Sequence, residues 1–274
     1  MIVKRHRFYE PEDILREVES KVHEACLRNE RIDYLTFVPD GEPALDINIG
    51  REISLLKKLG IPVAVITNAS LLWLDDVKED LLEADFVSLK VDAVSRGLWR
   101  KMNRPHKNLR LSMILKGIEE FTEVFGGKIT IETMLINNVK YDDEFEKIAK
   151  FLAKMEGVDK VYIAVPTRPP AEKWVKPAKE ETLNRAFQIF SREIGSDKVE
   201  YLIGYEGDTF TLTGNVKNDL LSITAVHPMR KEAIIELLKK AGADWHVVEE
   251  LLQRGELIEI EYEGEKYYIR KFRG

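Results

Sequence analysis

The feature that most constrains this chain is a regular alternation of short apolar segments with amphipathic segments, which runs to about residue 165. Apolar residues at helical spacing predict helices at 11–27, 49–59, 75–83, 109–125 and 142–155. Runs rich in β-branched and aromatic residues predict strands at 34–38, 61–67, 86–91, 128–135 and 160–165. Strands that alternate with helices form parallel βαβ units, so the sequence predicts an α/β fold, either a partial barrel or a wound sheet. Five such strands are too few for a complete eight-stranded barrel.

The pattern changes after Pro177, which predicts a second, smaller domain. A helix at 180–194 and a β-like stretch at 199–213 complete a first domain of residues 1–215. Residues 216–274 then show helices at 229–241 and 244–253 and strands at 257–262 and 266–270, a pattern that resembles a winged helix. This tail carries 10 Lys and Arg against 11 Asp and Glu, a net charge of −1. A packing or protein-contact role is therefore favoured over nucleic-acid binding.

Composition and charge exclude several classes of protein. The net charge of −6 gives no overall basic field for nucleic acid, and a charged content of 33% is typical of thermophile surfaces. No apolar run reaches the length of a membrane helix and no signal peptide is visible, so we expect a cytoplasmic protein without membrane contact. Cys26 is the single cysteine, which excludes an internal disulfide and predicts no metal ligands in this chain. Its place on a predicted helix indicates a small, buried core residue.

Polar residues follow or interrupt each predicted strand where it approaches its carboxyl end. They are Asp40, Gly41, Glu42 and Pro43 after the first strand, Thr67 and Asn68 after the second, Ser88, Lys90 and Asp92 on one face of the third, and Glu132 in the fourth. Carboxyl ends of parallel strands are where α/β folds bind ligands, so these residues predict a binding site. The alternative is internal ion pairing, for example between Lys90 and Glu132.

Three loop residues are weaker candidates for contact with a substrate. Arg104 and His106 lie between the third and fourth strands, and Arg168 follows the fifth. An arginine suits a carboxylate or phosphate, whereas a lone loop histidine is more often structural. Neither a Gly-x-Gly-x-x-Gly nor a Walker loop is present, and no catalytic residue can be assigned from the pattern.

Five short segments carry a resemblance to a known family. They are 36–43 (TFVPDGEP), 65–72 (VITNASLL), 84–93 (ADFVSLKVDA), 103–106 (NRPH) and 168–171 (RPPA), and the start of the tail at 225–230 (AVHPMR) is similar as well. They resemble the radical S-adenosylmethionine (radical SAM) superfamily, and most closely its archaeal wyosine-synthase-like branch. The resemblance implies a six-stranded partial barrel that holds S-adenosylmethionine against a 4Fe-4S cluster, for radical chemistry on RNA or another substrate.

The resemblance also assigns roles to individual residues. The motif at Asp40, Gly41, Glu42 and Pro43 corresponds to the one that contacts the methionine ammonium group, with Asp40 in place of a small residue. Asn68 and Ser88 fall where the family contacts the carboxylate and the ribose. Ile163 and Val165 fall where it brackets the adenine.

One part of the family pattern is missing. The family takes its cluster ligands from a Cys-x3-Cys-x2-Cys loop after a first barrel strand, and this sequence shows neither that strand nor those cysteines. One thiolate does not replace three. We therefore expect a radical SAM protein, truncated or degenerate, that is inactive as this chain.

Two alternatives remain at this stage. The first is a non-catalytic α/β binding protein with a winged-helix interaction module, and the second is a barrel enzyme that forms an imine on Lys90. We also expect the strand at 34–38 either to lie at an edge of the sheet with unpaired backbone groups, which is a hazard for self-association, or to be covered by the N-terminal segment.

Overall fold

The computed structural model describes residues 2–38, 41–203, 215–226, 228–262 and 264–271. They form two compact units. Unit 1 contains the described residues up to Val165 together with Val175–Ile203, and unit 2 contains Pro166–Trp174 together with the described residues from 215 onward. No helix among the described residues is both long and apolar enough to cross a membrane.

Unit 1 is built on one parallel sheet of six strands in sequential order. The strands are β1 (Leu35–Phe37), β2 (Val63–Thr67), β3 (Phe86–Lys90), β4 (Lys128–Met134), β5 (Lys160–Ala164) and β6 (Val199–Leu202). The helices are α1 (Pro11–Leu27), α2 (Ile49–Leu56), α3 (Asp75–Leu81), α4 (Arg96–Asn103), α5 (Leu111–Val124), α6 (Glu144–Leu152) and α7 (Glu180–Ile194). Because parallel crossovers share one hand, sequential strand order places the connecting helices on the same face of the sheet. The predicted α/β fold with a parallel sheet is confirmed.

The two faces of the sheet differ in burial. Val87 and Leu89 of β3 are completely buried in a core that also contains residues of α2, α3, α5, α6 and α7. Ser88 and Lys90 point to the other face and are only half-buried. The helices therefore cover one face, while the other face keeps polar side chains within reach of solvent.

The strand β1 lies at an edge of the sheet, as expected. Among the described residues it pairs only with β2, in parallel register from Leu35 opposite Val63. The N-terminal segment forms an isolated parallel bridge from His6 to Asp46, which lies beyond the end of β1. In the described part of the sheet, one backbone edge of β1 therefore has no strand partner.

Several local predictions were wrong or incomplete. Cys26 is exposed, because α1 buries only Pro11 and Ala25. The helix α4 was not predicted from the sequence, nor was α8 (Val216–Val226). Of the β-like stretch predicted at 199–213, β6 accounts for the first four residues, and 204–213 lie outside the described residues.

Unit 2 combines helices with a small antiparallel sheet. After α8 come β7 (Met229–Arg230), α9 (Lys231–Lys240), α10 (His246–Gln253), β8 (Leu257–Tyr262) and β9 (Glu265–Arg270). The sheet order is β7-β9-β8, and its helix-facing residues Met229, Leu257 and Tyr268 join a separate apolar core. Met229 and Arg230 were predicted as the start of a helix, but the helix begins at Lys231.

Candidate functional site

The carboxylate of Glu42 ties the loop after β1 to the end of β2. One of its oxygens, Oε1, accepts hydrogen bonds from the Thr67 hydroxyl (2.5 Å) and from the backbone N–H of Ala44 (3.1 Å). The other, Oε2, accepts from the backbone N–H of Asn68 (2.7 Å). Glu42 is 8% exposed, so its carboxylate is satisfied inside the protein. The structure thus shows Glu42 shaping the carboxyl edge of the sheet through hydrogen bonds to three neighbouring residues.

Burial raises the pKa of Glu42, while the hydrogen bonds from Thr67, Asn68 and Ala44 act in the opposite direction. These three donors all favour the ionised form, since each points at a carboxylate oxygen. Among the residues that the structure describes, no heavy atom lies within 4 Å of the position that a Cβ on Gly41 would take. The described residues thus leave space beside Gly41, next to the loop that Glu42 ties to β2.

A second polar cluster lies across β3 and β4. The ammonium group of Lys90 is 2.7 Å from Glu132 Oε1 and 3.2 Å from Asp92 Oδ1. Lys90 and Glu132 are direct neighbours in the parallel register, so their side chains emerge on the same face. Burial alone would lower the pKa of Lys90, but the charges of Asp92 and Glu132 outweigh it and the pKa lies above its usual value. The internal ion pair considered from the sequence is confirmed.

Asp92 connects this cluster to neighbouring loops. It is 6% exposed, its Oδ1 accepts from the backbone N–H of Met134 (2.9 Å), and its Oδ2 accepts from the Asn103 side chain (2.7 Å). Arg104 follows in a left-handed conformation with φ of 46°, uncommon outside glycine. Asp92 thereby fixes the end of α4 and the backbone from which Arg104 departs.

Sequence reasoning missed Glu144, which begins α6. It is 4% exposed, and its Oε1 accepts from the backbone N–H groups of Val94 and Ser95, both at 2.7 Å. Ser95 is the N-cap of α4, so this carboxylate lies at the N-terminus of the helix, where a negative charge is favourable. The partners are about 50 positions apart in the sequence, so no local signal could have identified them.

The remaining predicted residues fall in different places. Ser88 lies on the same half-buried face as Lys90, whereas Ile163 is completely buried on the helix-covered face and Val165 is 8% exposed within the same core. The predicted contact of these two side chains with adenine is therefore not supported by their placement. His106 accepts from the N–H of Asn108 at 3.3 Å, as part of a turn. Pro43 is the first residue of a short 3₁₀ helix. Arg168 belongs to unit 2. Asp40 lies outside the described residues.

Sequence comparison with known proteins identifies a superfamily and several relatives. Residues 2–152, more than half of the chain, match the model of the Radical SAM superfamily. A UPF0026 protein of Methanocaldococcus jannaschii is 43% identical over 272 residues, which cover 99% of this chain and 84% of that protein. A UPF0026 protein of Synechocystis is 33% identical over 186 residues, which cover 66% of this chain and 63% of that protein.

Solved structures share the fold. A structure of TYW1 with a lysine-pyruvate adduct bound has a TM-score of 0.52 at 16% identity, covering 69% of this chain and 65% of that one. A radical SAM methyltransferase from Sphaerobacter thermophilus has a TM-score of 0.51 at 15% identity, covering 73% of this chain and 59% of that one. The match over residues 2–152 shows that this chain belongs to the Radical SAM superfamily. Within it, the chain belongs to the UPF0026 family.

Membership of the superfamily implies two cofactors, S-adenosylmethionine and a 4Fe-4S cluster. The residues of this chain are compatible with the first but not with the second. Such a cluster is held by cysteine thiolates, but the sequence contains only Cys26, exposed on α1. The described residues also contain no group of three or more His, Cys, Asp or Glu side chains that could hold a metal ion. The residues present therefore do not fit the cluster. The open space at Gly41 and the ordered backbone around Glu42 are compatible with S-adenosylmethionine.

Proposed function

We propose that this chain is the S-adenosylmethionine-binding part of a radical SAM protein, with the ligand along the carboxyl edge of the parallel sheet. The observation that carries this proposal is the Glu42 network, which holds Ala44, Thr67 and Asn68 together within the region that matches the superfamily. Backbone groups beside a glycine allow close approach by an amino-acid group of a ligand. Asn68, which directly follows β2, and Ser88, on the neighbouring β3, are the further residues that we assign to this site.

The proposal gives Glu42 an indirect role. Its two oxygens already accept three hydrogen bonds, so Glu42 orients the loop, and the backbone of that loop then meets the ligand. The Lys90 cluster lies on the face of β3 that also carries Ser88. In this proposal it supplies charged groups for the remainder of the ligand. Asp40 and Pro43 keep their proposed place in the motif.

We further propose that this chain alone does not cleave S-adenosylmethionine reductively, because the residues present do not fit the cluster. The relationship to the wyosine-synthase-like branch is likewise a proposal, which the motif resemblance supports. So is the winged-helix character of unit 2, which its helices and three-stranded sheet support. The domain limits 1–215 and 216–274 stay a prediction, and RNA remains one substrate to test.

Calorimetric titration with S-adenosylmethionine tests the site. We expect weak binding, because losing an anchor at the cluster costs several kcal/mol, and each 1.4 kcal/mol is about tenfold in affinity. Glu42→Gln and Asn68→Ala should weaken this binding further, whereas Asn48→Ala is the matched control. The Asn48 side chain donates to the backbone oxygen of Tyr9 and takes no part in the Glu42 network. Micromolar or tighter binding that neither site variant changes would show that the site is elsewhere.

Imine formation on Lys90 is disfavoured by the structure. An imine-forming lysine needs a lowered pKa, whereas Asp92 and Glu132 hold the pKa of Lys90 above its usual value. The second candidate function is therefore the non-catalytic binding protein, which the single cysteine favours. It shares the proposed ligand site but predicts no radical chemistry after a cluster-bearing segment is added.

A further inference from the structure

A proline-rich segment leaves β5 and belongs to unit 2. The segment Pro166–Trp174 lies between β5 and α7 in the sequence. These two elements belong to unit 1, whereas the segment itself belongs to unit 2 with the C-terminal residues. Pro166, Pro169 and Pro170 have restricted φ angles and no N–H group. Such a segment loses little conformational freedom when it is bound, and it offers carbonyl oxygens to donors.

Unit 2 presents an aromatic sheet face suited to such a segment. Tyr267 of β9 lies opposite Ile260 of β8, and Ile258 lies opposite Ile269, so these residues and Tyr262 emerge on one face. The opposite face, with Leu257 and Tyr268, packs into the apolar core of unit 2. The two faces thus have separate roles.

The tyrosines of the first face donate hydrogen bonds to consecutive carbonyls of the segment. The Tyr262 hydroxyl donates to the carbonyl oxygen of Pro166 (3.3 Å), and the Tyr267 hydroxyl donates to that of Thr167 (3.0 Å). Arg230 Nε donates to the Tyr267 hydroxyl oxygen (3.0 Å), and its guanidinium carbon is 5.6 Å from the centre of that ring. Because Arg230 supplies a donor to this oxygen, the Tyr267 hydroxyl proton is directed at Thr167.

We propose that this sheet face is an intramolecular recognition site for the segment 166–174, with Tyr262 and Tyr267 as the positioning residues of the β5 loop. Proline-rich chains commonly bind aromatic-lined surfaces, and here the two contacts use only carbonyl oxygens. Pro166 and Tyr267 are buried, and Thr167 and Tyr262 are half-buried, so solvent reaches these two hydrogen bonds only in part. Loops after parallel strands carry ligand-binding residues. The recognition site therefore couples unit 2 to ligand binding, a consequence that rests on the proposed function.

Amide hydrogen exchange of the full chain, followed by mass spectrometry of peptides within 166–176, tests the recognition site. Tyr262→Phe and Tyr267→Phe keep each ring and remove one hydroxyl. Each should speed exchange of the segment by roughly fivefold, the equivalent of a net hydrogen bond, and the double variant by more. Tyr268→Phe is the matched control, since its hydroxyl donates to Glu259 on the opposite face. Faster exchange confined to the first two variants is expected, and unchanged exchange in the double variant would overturn the proposal.

Binding of S-adenosylmethionine to the same variants tests the coupling. We expect the double variant to bind about fivefold more weakly than the wild type, with Tyr268→Phe unchanged. If the wild type binds and the double variant binds equally well, the two tyrosines do not position the loop for the ligand. If the wild type does not bind, the proposed function fails, while the exchange data still decide whether the recognition site exists.

Discussion

Replacing Lys90 with methionine should destabilise unit 1 strongly, because it leaves two carboxylates without their cation. Removing one partner from a buried ion pair costs about 3–5 kcal/mol. The side chains of Lys90 and Glu132 are 26% and 25% exposed, so solvent screens part of that cost, but the Asp92 side chain is only 4% exposed. We therefore expect Lys90→Met to lower the free energy of unfolding by about 2–3 kcal/mol.

A second lysine in the same sheet provides the matched control. Lys160 pairs with Glu200 at 2.5 Å across β5 and β6, but these side chains are 34% and 48% exposed. Exposed pairs contribute about 0–1 kcal/mol, so Lys160→Met should have a small effect. Adding Glu132→Gln to Lys90→Met should recover part of the lost stability, because it removes one stranded charge.

Urea unfolding measures these differences, with pulse-labelling hydrogen exchange of peptides from β3 and β4 used to follow unit 1 alone. The expected order of midpoint urea concentrations is wild type, Lys160→Met, the Lys90→Met and Glu132→Gln combination, then Lys90→Met. A Lys90→Met midpoint no lower than that of Lys160→Met would refute the inference that the three charges depend on one another.

Two further predictions concern groups outside the proposed site. Burial, and then the charge of Asp46, raise the pKa of Glu52 from 4.5 to about 7. The folded state therefore binds this proton more tightly than the unfolded state does. The free energy of unfolding of unit 1 should fall by up to about 3 kcal/mol as the pH rises from 4.5 to 7. Glu52→Gln should remove this pH dependence, which melting experiments at pH 5 and pH 8 measure. Cys26 should react with Ellman's reagent in the native protein as fast as a free thiol, because it is exposed, and a reaction that needs denaturant would contradict its placement.

The sequence was informative wherever a local pattern fixes the geometry. Alternation in β3 placed Ser88 and Lys90 on one face, and the parallel order of strands brought Glu132 beside Lys90. Both follow from the two-residue period of a strand, which the sequence displays directly.

Features that depend on distant partners could not be predicted. The helix α4 contains Gly97 and buries only Trp99, and the carboxylate at its N-terminus comes from Glu144 in another helix. Cys26 was misjudged because periodicity shows which side of α1 is apolar but not how much of that side another element covers. The partners of Glu42 were likewise hidden, since Thr67 lies 25 positions away.

Iron content after anaerobic incubation with iron and sulfide tests the central proposal most directly, namely that the residues of this chain do not by themselves hold the cluster. We predict only adventitious iron and no 4Fe-4S absorption, because Cys26 is a single, isolated ligand. The same chain extended by a strand and a Cys-x3-Cys-x2-Cys loop should gain the cluster and cleave S-adenosylmethionine on reduction. A cluster in the extended chain without cleavage would favour the non-catalytic function, and a stoichiometric cluster in the present chain would contradict the account.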